Sequence, residues 1–281
     1  MSDEEKWIPN NPVCFTHASC MDGFTSQWVL HKFYGDNAEY YPWSHNKPIS
    51  LDDVRFRNVI MSDFSCKREE MKEIIKVANT VLVLDHHQHA AVELDGLHDG
   101  KRAFIHFDNG RSGAGITWDY FFKRSERPWV VSYVEDRDIW KWQLNGSRQV
   151  NALVQATPMT IDNWDTMEKM ELNEAFSMGA AIRMYIEQYC EDAAGNVRFV
   201  DWEGVVGVPI VNAPYMAISD ILHRVLREYP PLAVGYFQNY KGGWNYSLRS
   251  TGEFDCGSIA VKFGGGGHVN AAGFTSDHLL F

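Results

Sequence analysis

Several features are missing from this sequence, and each absence excludes a class of protein. None of the 281 residues lies in an uninterrupted apolar stretch that approaches the roughly 18 residues of a membrane helix. The first segment, MSDEEKWIPNNP, is acidic where a signal peptide is basic and then apolar. The formal net charge of -11 argues against long duplex nucleic acid as a partner, because its binding surfaces are normally basic. We therefore predict a cytoplasmic protein with no membrane partner.

Cysteine is also scarce. The five cysteines are dispersed and form no CxxC pair, which suits a reducing compartment better than a disulfide framework. The sequence contains no repeat, and the glycines at 264–267 are its single low-complexity tract. Its composition is that of a globular protein, with 45% hydrophobic and 14% aromatic residues, and its length predicts about two domains.

Strand and helix patterns divide the chain into three parts. Residues 1–145 alternate between strand and helix signals, which predicts an α/β domain with a parallel sheet. One long amphipathic helical pattern covers residues 171–194 and stops at the glycine and asparagine that follow. Short β-like runs come next, with one helix around residues 217–228. We predict an N-terminal domain over 1–145, a helical connector over 146–194 and a smaller α/β domain over 195–281.

Three short apolar segments, at residues 13–16, 59–61 and 81–85, each lead into side chains that bind metal ions. Parallel strands place their carboxyl ends at one edge of a sheet, where ligands bind. The residues expected to converge there are His17, Asp22, Asp63, Asp85, His86 and His87. Taken singly, Asp22 is also compatible with a helix N-cap and Asp63 with a turn.

Two further segments of the first part carry candidate site residues. In RSGAG, at 111–115, Ser112 fits a helix N-cap, and free backbone N–H groups beside Arg111 could bind an anion of the substrate. A capped structural helix explains the same pattern equally well. Downstream, Asp136 and Asp138 flank Arg137, and each is either a metal ligand or an ion-pair partner of that arginine.

The glycine run in the last part indicates phosphate or nucleotide binding. It follows an apolar segment and precedes a histidine, so it makes a poor flexible linker. Glycines allow close approach of the backbone, and successive N–H groups can cradle phosphate. Arg249, at the end of WNYSLR, would add a planar donor fork, although by itself it is compatible with a surface charge.

With these motifs, the chain resembles the DHH phosphoesterase superfamily along nearly its full length. The resemblance is carried by HASCMDG, SDF, LDHH, VEDRDIW and the terminal GGGGHVNAAGF. The chain is similar to the subfamily with the DHH-associated C-terminal domain, which includes RecJ nucleases and the nanoRNase and pAp phosphatase enzymes. This resemblance implies a cleft between the two domains that holds two divalent ions, usually Mn²⁺, with Mg²⁺, Co²⁺ or Zn²⁺ as alternatives.

The resemblance also implies a role for each matched residue. The implied metal ligands are His17, Asp22, Asp63, His86 and Asp136, with His17 on one ion and Asp63 bridging both. Asp138 is the less favoured alternative to Asp136. Asp85 would orient its neighbouring histidine or approach the metals, and His87 would face the scissile phosphate. The nucleotide end of the substrate would be held by Arg249, Gly265, Gly266, Gly267 and His268.

One position departs from the common pattern of the superfamily. Cys20 stands where the first motif usually has an aspartate. A thiolate is a softer ligand than a carboxylate and favours zinc or iron over manganese. Either Cys20 is a metal ligand, or it packs inertly while water fills the position, which is the expectation if manganese is the native ion.

Taken together, these features predict a metal-dependent hydrolase of phosphoester bonds in short oligonucleotides, dinucleotides or pAp. A RecJ-like single-strand exonuclease and a catalytically silent nucleotide-binding protein are the alternatives. Tryptophans such as Trp140 and Trp142 could stack on bases, although packing in the core or an interface is the commoner role. A homodimer stays open as the oligomeric state.

Overall fold

A computed structural model describes residues 7–44, 47–123 and 125–281. The chain divides into two compact units, Met1–Ile182 and Arg183–Phe281. Residues 1–6, on which the prediction about the first segment partly rests, lie outside the described residues. Within the described part of the chain, no helix is both long enough and apolar enough to cross a membrane.

A five-stranded parallel sheet forms the centre of the first unit, as predicted. In chain order its strands are β1 (Val13–His17), β2 (Glu39–Trp43), β3 (Asn58–Ser62), β4 (Thr80–Asp85) and β5 (Ala103–Phe107). The spatial order is β2-β1-β3-β4-β5, and every neighbouring pair is parallel. The helices between them are α1 (Met21–Tyr34), α2 (Leu51–Val54), α3 (Arg68–Val77) and α4 (Gln88–Glu93). The three apolar segments of the sequence are therefore the neighbouring strands β1, β3 and β4.

Both faces of this sheet are buried, which explains why its strands are almost continuously apolar. On one face, Met61 and Val83 pack with residues of α2 and α3. On the other face, Ile60 and Leu82 pack with residues of α1 and α5 (Gly113–Phe121). The helix α5, which follows the loop after β5, therefore packs directly against the central strands.

More helices extend the first unit beyond α1 and α5. They are α6 (Trp129–Asp138), α7 (Ser147–Ala156), α8 (Ile161–Lys169) and the long α9 (Leu172–Ala194). Trp28 of α1 and Trp164 of α8 are fully buried in one cluster, with Val130 of α6 and Val154 of α7. The boundary between the two units lies within α9, inside the segment predicted as a helical connector.

A six-stranded mixed sheet forms the second unit. Its strands are β6 (Arg198–Trp202), β7 (Val205–Asn212), β8 (Leu232–Gln238), β9 (Trp244–Ser250), β10 (Gly266–His268) and β11 (Ala271–Ser276), in the order β10-β11-β9-β8-β7-β6. Only β7 and β8 are parallel, joined by α10 (Tyr215–Glu228). Residues of α10 pack with Ala233 on one face, while α11 (Cys256–Lys262) packs with Val234 on the other. The predicted α/β fold with a smaller second α/β domain is confirmed.

Candidate metal centre

The carboxyl ends of β1, β3 and β4 bring histidine and aspartate side chains to one edge of the first sheet. Thr16 pairs with Ser62, and Ser62 pairs with Leu84, so the three strands end level with one another. The next residue on each strand is His17, Asp63 or Asp85. The backbone N–H of Asp63 donates to the carbonyl oxygen of Leu84 at 3.0 Å, which ties the two strand exits together.

His86 is surrounded by three carboxylates. Its Nε2 atom lies 3.1 Å from Oδ1 of Asp63, 3.5 Å from Oδ2 of Asp138 and 3.9 Å from Oδ2 of Asp22. Asp22, His86 and Asp138 each offer one ligand atom, and these atoms lie within 4.8 Å of one another. The group has the composition of a site for a divalent cation with nitrogen and oxygen ligands.

A second group adjoins the first and contains Asp63, which also lies 3.1 Å from His86 of the first group. His17, Cys20 and Asp63 offer ligand atoms that also lie within 4.8 Å of one another. The Nδ1 atom of His17 lies 3.8 Å from Oδ2 of Asp63, while Oδ1 of Asp63 faces His86. The two oxygens of one buried carboxylate therefore face two different groups of metal-binding atoms.

Two buried oxygens in this cluster accept no hydrogen bond from the described part of the chain. They are Oδ2 of Asp63 and Oδ2 of Asp138. A buried carboxylate oxygen without a donor is costly, so such atoms are normally satisfied. Divalent cations would satisfy both oxygens, and the imidazole, carboxylate and thiol groups nearby are all established kinds of metal ligand. The residues present therefore fit metal binding.

The amino end of α5 holds Asp22 in position. The carboxylate of Asp22 accepts the backbone N–H groups of Gly113 at 2.6 Å and of Ala114 at 3.1 Å. A Cβ atom on Gly113 would lie 2.4 Å from the Cβ of Asp63, so only glycine permits this approach. Gly23 has the same constraint, because a Cβ there would lie 2.2 Å from the carbonyl oxygen of His17. Gly113 thus lets the start of α5 approach Asp63, and Gly23 lets the start of α1 approach the end of β1.

Burial and mutual repulsion raise the pKa values of three carboxylates in this cluster. Burial raises the pKa of Asp22 well above its usual value, and the charge of Asp63 raises it further. Burial, with the charges of Asp85 and Asp138, raises the pKa of Asp63 to about 8. Burial also raises the pKa of Asp138. The cluster therefore concentrates more negative charge than it can hold unaided, and a bound cation would offset it.

Asp85 holds the ring of His87. Its Oδ1 lies 2.7 Å from Nδ1 of His87, and Ser65 Oγ donates to its Oδ2 at 2.8 Å. This hydrogen bond to Asp85 raises the pKa of His87 to about 9. Burial alone would raise the pKa of Asp85, but the hydrogen bonds from His87 and Ser65 outweigh it and lower that pKa. Asp85 is fully buried and orients the half-buried His87. It also offers a ligand atom within 4.8 Å of ligand atoms of Asp63, His86 and His87, so approach to a metal ion stays open for it.

The structure places Asp138 in the cluster and leaves Asp136 outside it, which corrects the preference drawn from the sequence. The carboxylate of Asp136 accepts the backbone N–H of Gln143 at 2.9 Å and of Leu144 at 3.2 Å. Both of its carboxylate oxygens therefore accept hydrogen bonds from the loop after α6. Asp138, at the last position of α6, faces His86 instead.

Arg111 and Ser112 make structural contacts in place of the predicted substrate contacts. The Ser112 side chain caps α5 by accepting from the N–H of Gly115 at 3.2 Å. Arg111 pairs with Glu135 at 2.9 Å and with Asp119 at 3.0 Å. The carboxylate of Asp22 already occupies the next N–H groups of the helix. The negative group at the start of α5 is therefore the side chain of Asp22.

The predicted phosphate-binding residues lie in the second unit, at one end of its sheet. Ala271 pairs with His268 on β10 and with Arg249 on β9, so the histidine and the arginine lie on the same face two strands apart, about 10 Å. Nη2 of Arg249 lies 3.2 Å from Oγ of Ser219 on α10. His268 is exposed at the edge of the sheet.

The glycine run is shaped by close packing as well as by its position at this edge. The N–H groups of Gly264 and Gly265 donate to carbonyl oxygens of Val261 and Ala260, which closes α11. A Cβ atom on Gly265 would lie 2.1 Å from the carbonyl oxygen of Gly273. Gly266 and Gly267 belong to the edge strand β10. The first half of the run therefore has a structural role, and the second half lies beside His268.

Sequence reasoning did not identify Ser65 as the partner of Asp85. A serine three residues after the end of a strand has no distinctive pattern, and the contact becomes visible only when β3 and β4 lie side by side. The sequence does carry a pattern that singles out Gly113, because RSGAG places two glycines at a helix start. It indicates a close approach of backbones, and the structure shows that the approaching residue is Asp63.

Comparisons with known proteins agree with this architecture. An uncharacterized protein of Acanthamoeba polyphaga mimivirus is 32% identical over 283 residues, which cover 93% of this chain and 66% of the viral protein. The chain therefore spans slightly less than two thirds of that relative. No family model matches the sequence.

Two solved structures share the fold over almost the whole chain. One is a pGpG-specific phosphodiesterase from Vibrio cholerae, with a TM-score of 0.52 and 13% identity over 94% of this chain and 92% of that protein. The other is an exonuclease RecJ bound to manganese, with a TM-score of 0.51 and 12% identity over 95% of this chain and 86% of that protein. The chain thus has the two-domain α/β fold of RecJ-like proteins, and it carries a His/Asp cluster that could hold metal ions.

Proposed function

We propose that this chain is a member of the DHH phosphoesterase superfamily and hydrolyses phosphoester bonds in short nucleotidic substrates with two divalent metal ions. The observation that carries the proposal is the position of Asp63. Its two carboxylate oxygens face two separate groups of ligand atoms, as a bridge between two cations requires. The fold shared with a phosphodiesterase and a manganese-bound exonuclease supports the same chemistry.

The ligands divide between the two ions by the groups to which they belong. His17, Cys20 and Asp63 would hold one ion. Asp22, His86 and Asp138 would hold the other, together with Asp63, whose Oδ1 lies 3.1 Å from Nε2 of His86. The second set is rich in carboxylates and suits Mn²⁺, while the thiol gives the first set a softer character. Bound divalent ions would supply Lewis-acid stabilisation of charge on the phosphate and activation of the attacking water.

His87 is the residue that we expect to protonate the leaving oxygen, and its neighbours orient its ring. Asp85 binds Nδ1 of His87, so the ring turns its Nε2 away from the buried carboxylate. In that orientation His87 can donate a proton to the oxygen that leaves the phosphorus atom. Ser65 and the backbone N–H groups of His86 and His87 keep Asp85 in place. Ser65 and Asp85 would therefore hold His87 in the orientation that a proton donor needs.

Arg249 and His268 are proposed to hold the second phosphate or the nucleotide end of the substrate. They lie on the same face of their sheet, and Arg249 offers a donor fork suited to phosphate. The net charge of -11 disfavours long nucleic acid, so a short substrate is preferred. We expect a 5′-phosphorylated dinucleotide, a short oligonucleotide or pAp.

A product screen tests the proposal. The purified chain with Mn²⁺ is incubated with a dinucleotide, pAp, a cyclic dinucleotide and a long labelled single strand, and Asp63→Asn is the inactive control. Hydrolysis of the short substrates by the wild type alone would support the proposal. A ladder from the long strand would instead favour a single-strand exonuclease, the second candidate suggested by the shared RecJ fold. Binding of nucleotide without any turnover would contradict both.

A further inference from the structure

The loop after α6 carries two tryptophans in an unfavourable backbone conformation. Trp140 has φ of 57° and Trp142 has φ of 53°. Bulky residues rarely adopt this left-handed region, and where they do the surrounding structure imposes it, often at a functional site. Trp140 gains no burial in exchange, because 72% of its surface is exposed. The stability of the fold does not explain why tryptophan stands at this position.

Asp136 imposes the conformation of this loop. Its carbonyl oxygen accepts the N–H groups of Lys141 at 2.9 Å and of Trp142 at 3.2 Å. Its carboxylate accepts the N–H groups of Gln143 and Leu144. One buried residue therefore gathers four consecutive backbone donors, and the loop is held rather than free to relax.

The ring of Trp142 packs edge-to-face against the exposed ring of Trp140. The two ring centres are 5.2 Å apart and the rings are nearly perpendicular, at 77°. The guanidinium of Arg148 lies 4.6 Å from the centre of the Trp142 ring and fixes it in turn. Trp140 thus presents an aromatic ring to solvent, and the packing of Trp142 holds that ring in place.

Trp140 follows a residue of the candidate metal centre closely in the chain. Two trans peptide bonds join Asp138 to Trp140, so their Cα atoms are at most about 7.6 Å apart. Asp138 itself lies 3.5 Å from His86 within the cluster. An open aromatic ring next to a phosphate-binding centre can stack on the base attached to that phosphate, since every base has a π-face.

We propose that Trp140 is a stacking platform for one nucleobase of the substrate, with Trp142 and Asp136 as its positioning residues. This inference rests on the proposed function, because it places the reacting phosphate at Asp63, His86 and Asp138. It adds that the substrate must carry a base next to the cleaved bond. The chain would therefore discriminate against phosphoesters that lack a base, whatever their charge.

The test compares Trp140→Ala with the wild type on a 5′-phosphorylated dinucleotide and on two abasic analogues, each of which lacks one base. Stacking on one base is worth about 1–3 kcal/mol, which corresponds to about a 5- to 150-fold rise in KM for the dinucleotide. We expect kcat to change less than KM. The analogue that lacks the stacked base should show the same KM with both proteins, and Trp140→Phe should restore most of the affinity.

Phe56→Ala is the matched control. Phe56 is also an aromatic residue of the first unit with a positive φ, 57°, and it is 74% exposed. It lies before β3, at the amino end of the strand, whereas the candidate metal centre lies at the carboxyl ends. We expect this variant to keep the wild-type KM.

Binding measured apart from turnover separates this inference from the proposed function. Calorimetric titration of Asp63→Asn, with and without Trp140→Ala, uses the dinucleotide as probe. Weaker binding in the double variant supports the platform even if the wild type hydrolyses nothing. Equal KM and equal affinity with and without Trp140 would overturn it, as would an equal loss for both abasic analogues and the dinucleotide.

Discussion

The backbone N–H of Gly113 donates a 2.6 Å hydrogen bond to Oδ2 of Asp22, although 91 residues separate the two in the chain. This contact turns the amino end of α5, a natural site for an external anion, into a support for a candidate metal ligand. It works only because Gly113 has no side chain between the helix and Asp63. Metal binding at this cluster would therefore be coupled to the packing of α5 on the sheet.

The first prediction follows from this coupling. In Gly113→Ala the new Cβ would lie 2.4 Å from Cβ of Asp63, so the loop or the helix must move. We expect a loss of about 1–3 kcal/mol in the free energy of unfolding, together with weaker metal binding. Gly195→Ala is the control, because its nearest contact would be 3.5 Å. Denaturant unfolding and metal titration measure both effects, and unchanged metal affinity in Gly113→Ala would contradict the coupling.

The second prediction concerns Cys20, whose Sγ belongs to the group with His17 and Asp63. Burial and the charge of Asp63 raise the pKa of this thiol to about 12, so the metal-free chain keeps it protonated. A bound cation would favour the thiolate, and metal binding would then release a proton.

We expect Cys20→Ala to bind one metal ion fewer than the wild type. Cys20→Asp should keep both ions and shift the preference from Zn²⁺ towards Mn²⁺, because a carboxylate is the harder ligand. Metal content after dialysis measures this, with Cys190→Ala as the control, since Cys190 belongs to no group of candidate metal ligands in the described part of the chain. Two ions retained by Cys20→Ala would show that the thiol packs inertly.

The third prediction separates the two aspartates of α6. Asp138 faces His86, while Asp136 binds backbone N–H groups of the following loop. We expect Asp138→Asn to lose metal affinity and activity with little change in unfolding free energy. Asp136→Asn should keep the metals but destabilise the fold by about 1–3 kcal/mol, since it weakens a buried acceptor. The opposite result, metal loss from Asp136→Asn alone, would restore the choice that the sequence favoured.

Much of the fold was readable from the sequence because its strands are local patterns. The apolar runs before His17, Asp63 and Asp85 are strands β1, β3 and β4, and their parallel arrangement brings the three residues to one edge. Adjacent parallel strands require this outcome wherever the exact strand boundaries fall.

The contacts that sequence reasoning could not supply are those between distant segments. Asp136 and Asp138 have the same chemistry, and both adjoin Arg137 in the chain. The choice between them depends on which loop donates N–H groups to Asp136. Likewise, RSGAG correctly indicates a capped helix start, but no local pattern shows that Asp22 occupies the remaining donors.

The fourth prediction is a pH dependence of the metal-free protein. Burial, with the charges of Asp85 and Asp138, raises the pKa of Asp63 from 3.8 to about 8 in the folded chain. The folded chain thus holds a proton that the unfolded chain has released. This contribution to stability is full below the unfolded pKa of 3.8 and is lost as the pH rises through about 8. The pKa values of Asp22 and Asp138 are raised as well and act in the same direction.

Thermal unfolding after EDTA treatment measures this dependence between about pH 5 and about pH 8. Other carboxylates, such as Asp85 with its lowered pKa, act in the opposite direction, so the wild type is compared with Asp63→Asn. We expect the Tm of the wild type to fall relative to that of the variant as the pH rises. Added Mn²⁺ should stabilise the wild type increasingly over the same range, because the cation competes with protons for the same oxygens. Parallel Tm curves for the two proteins would mean that Asp63 titrates normally and that the cluster holds its negative charge without a cation.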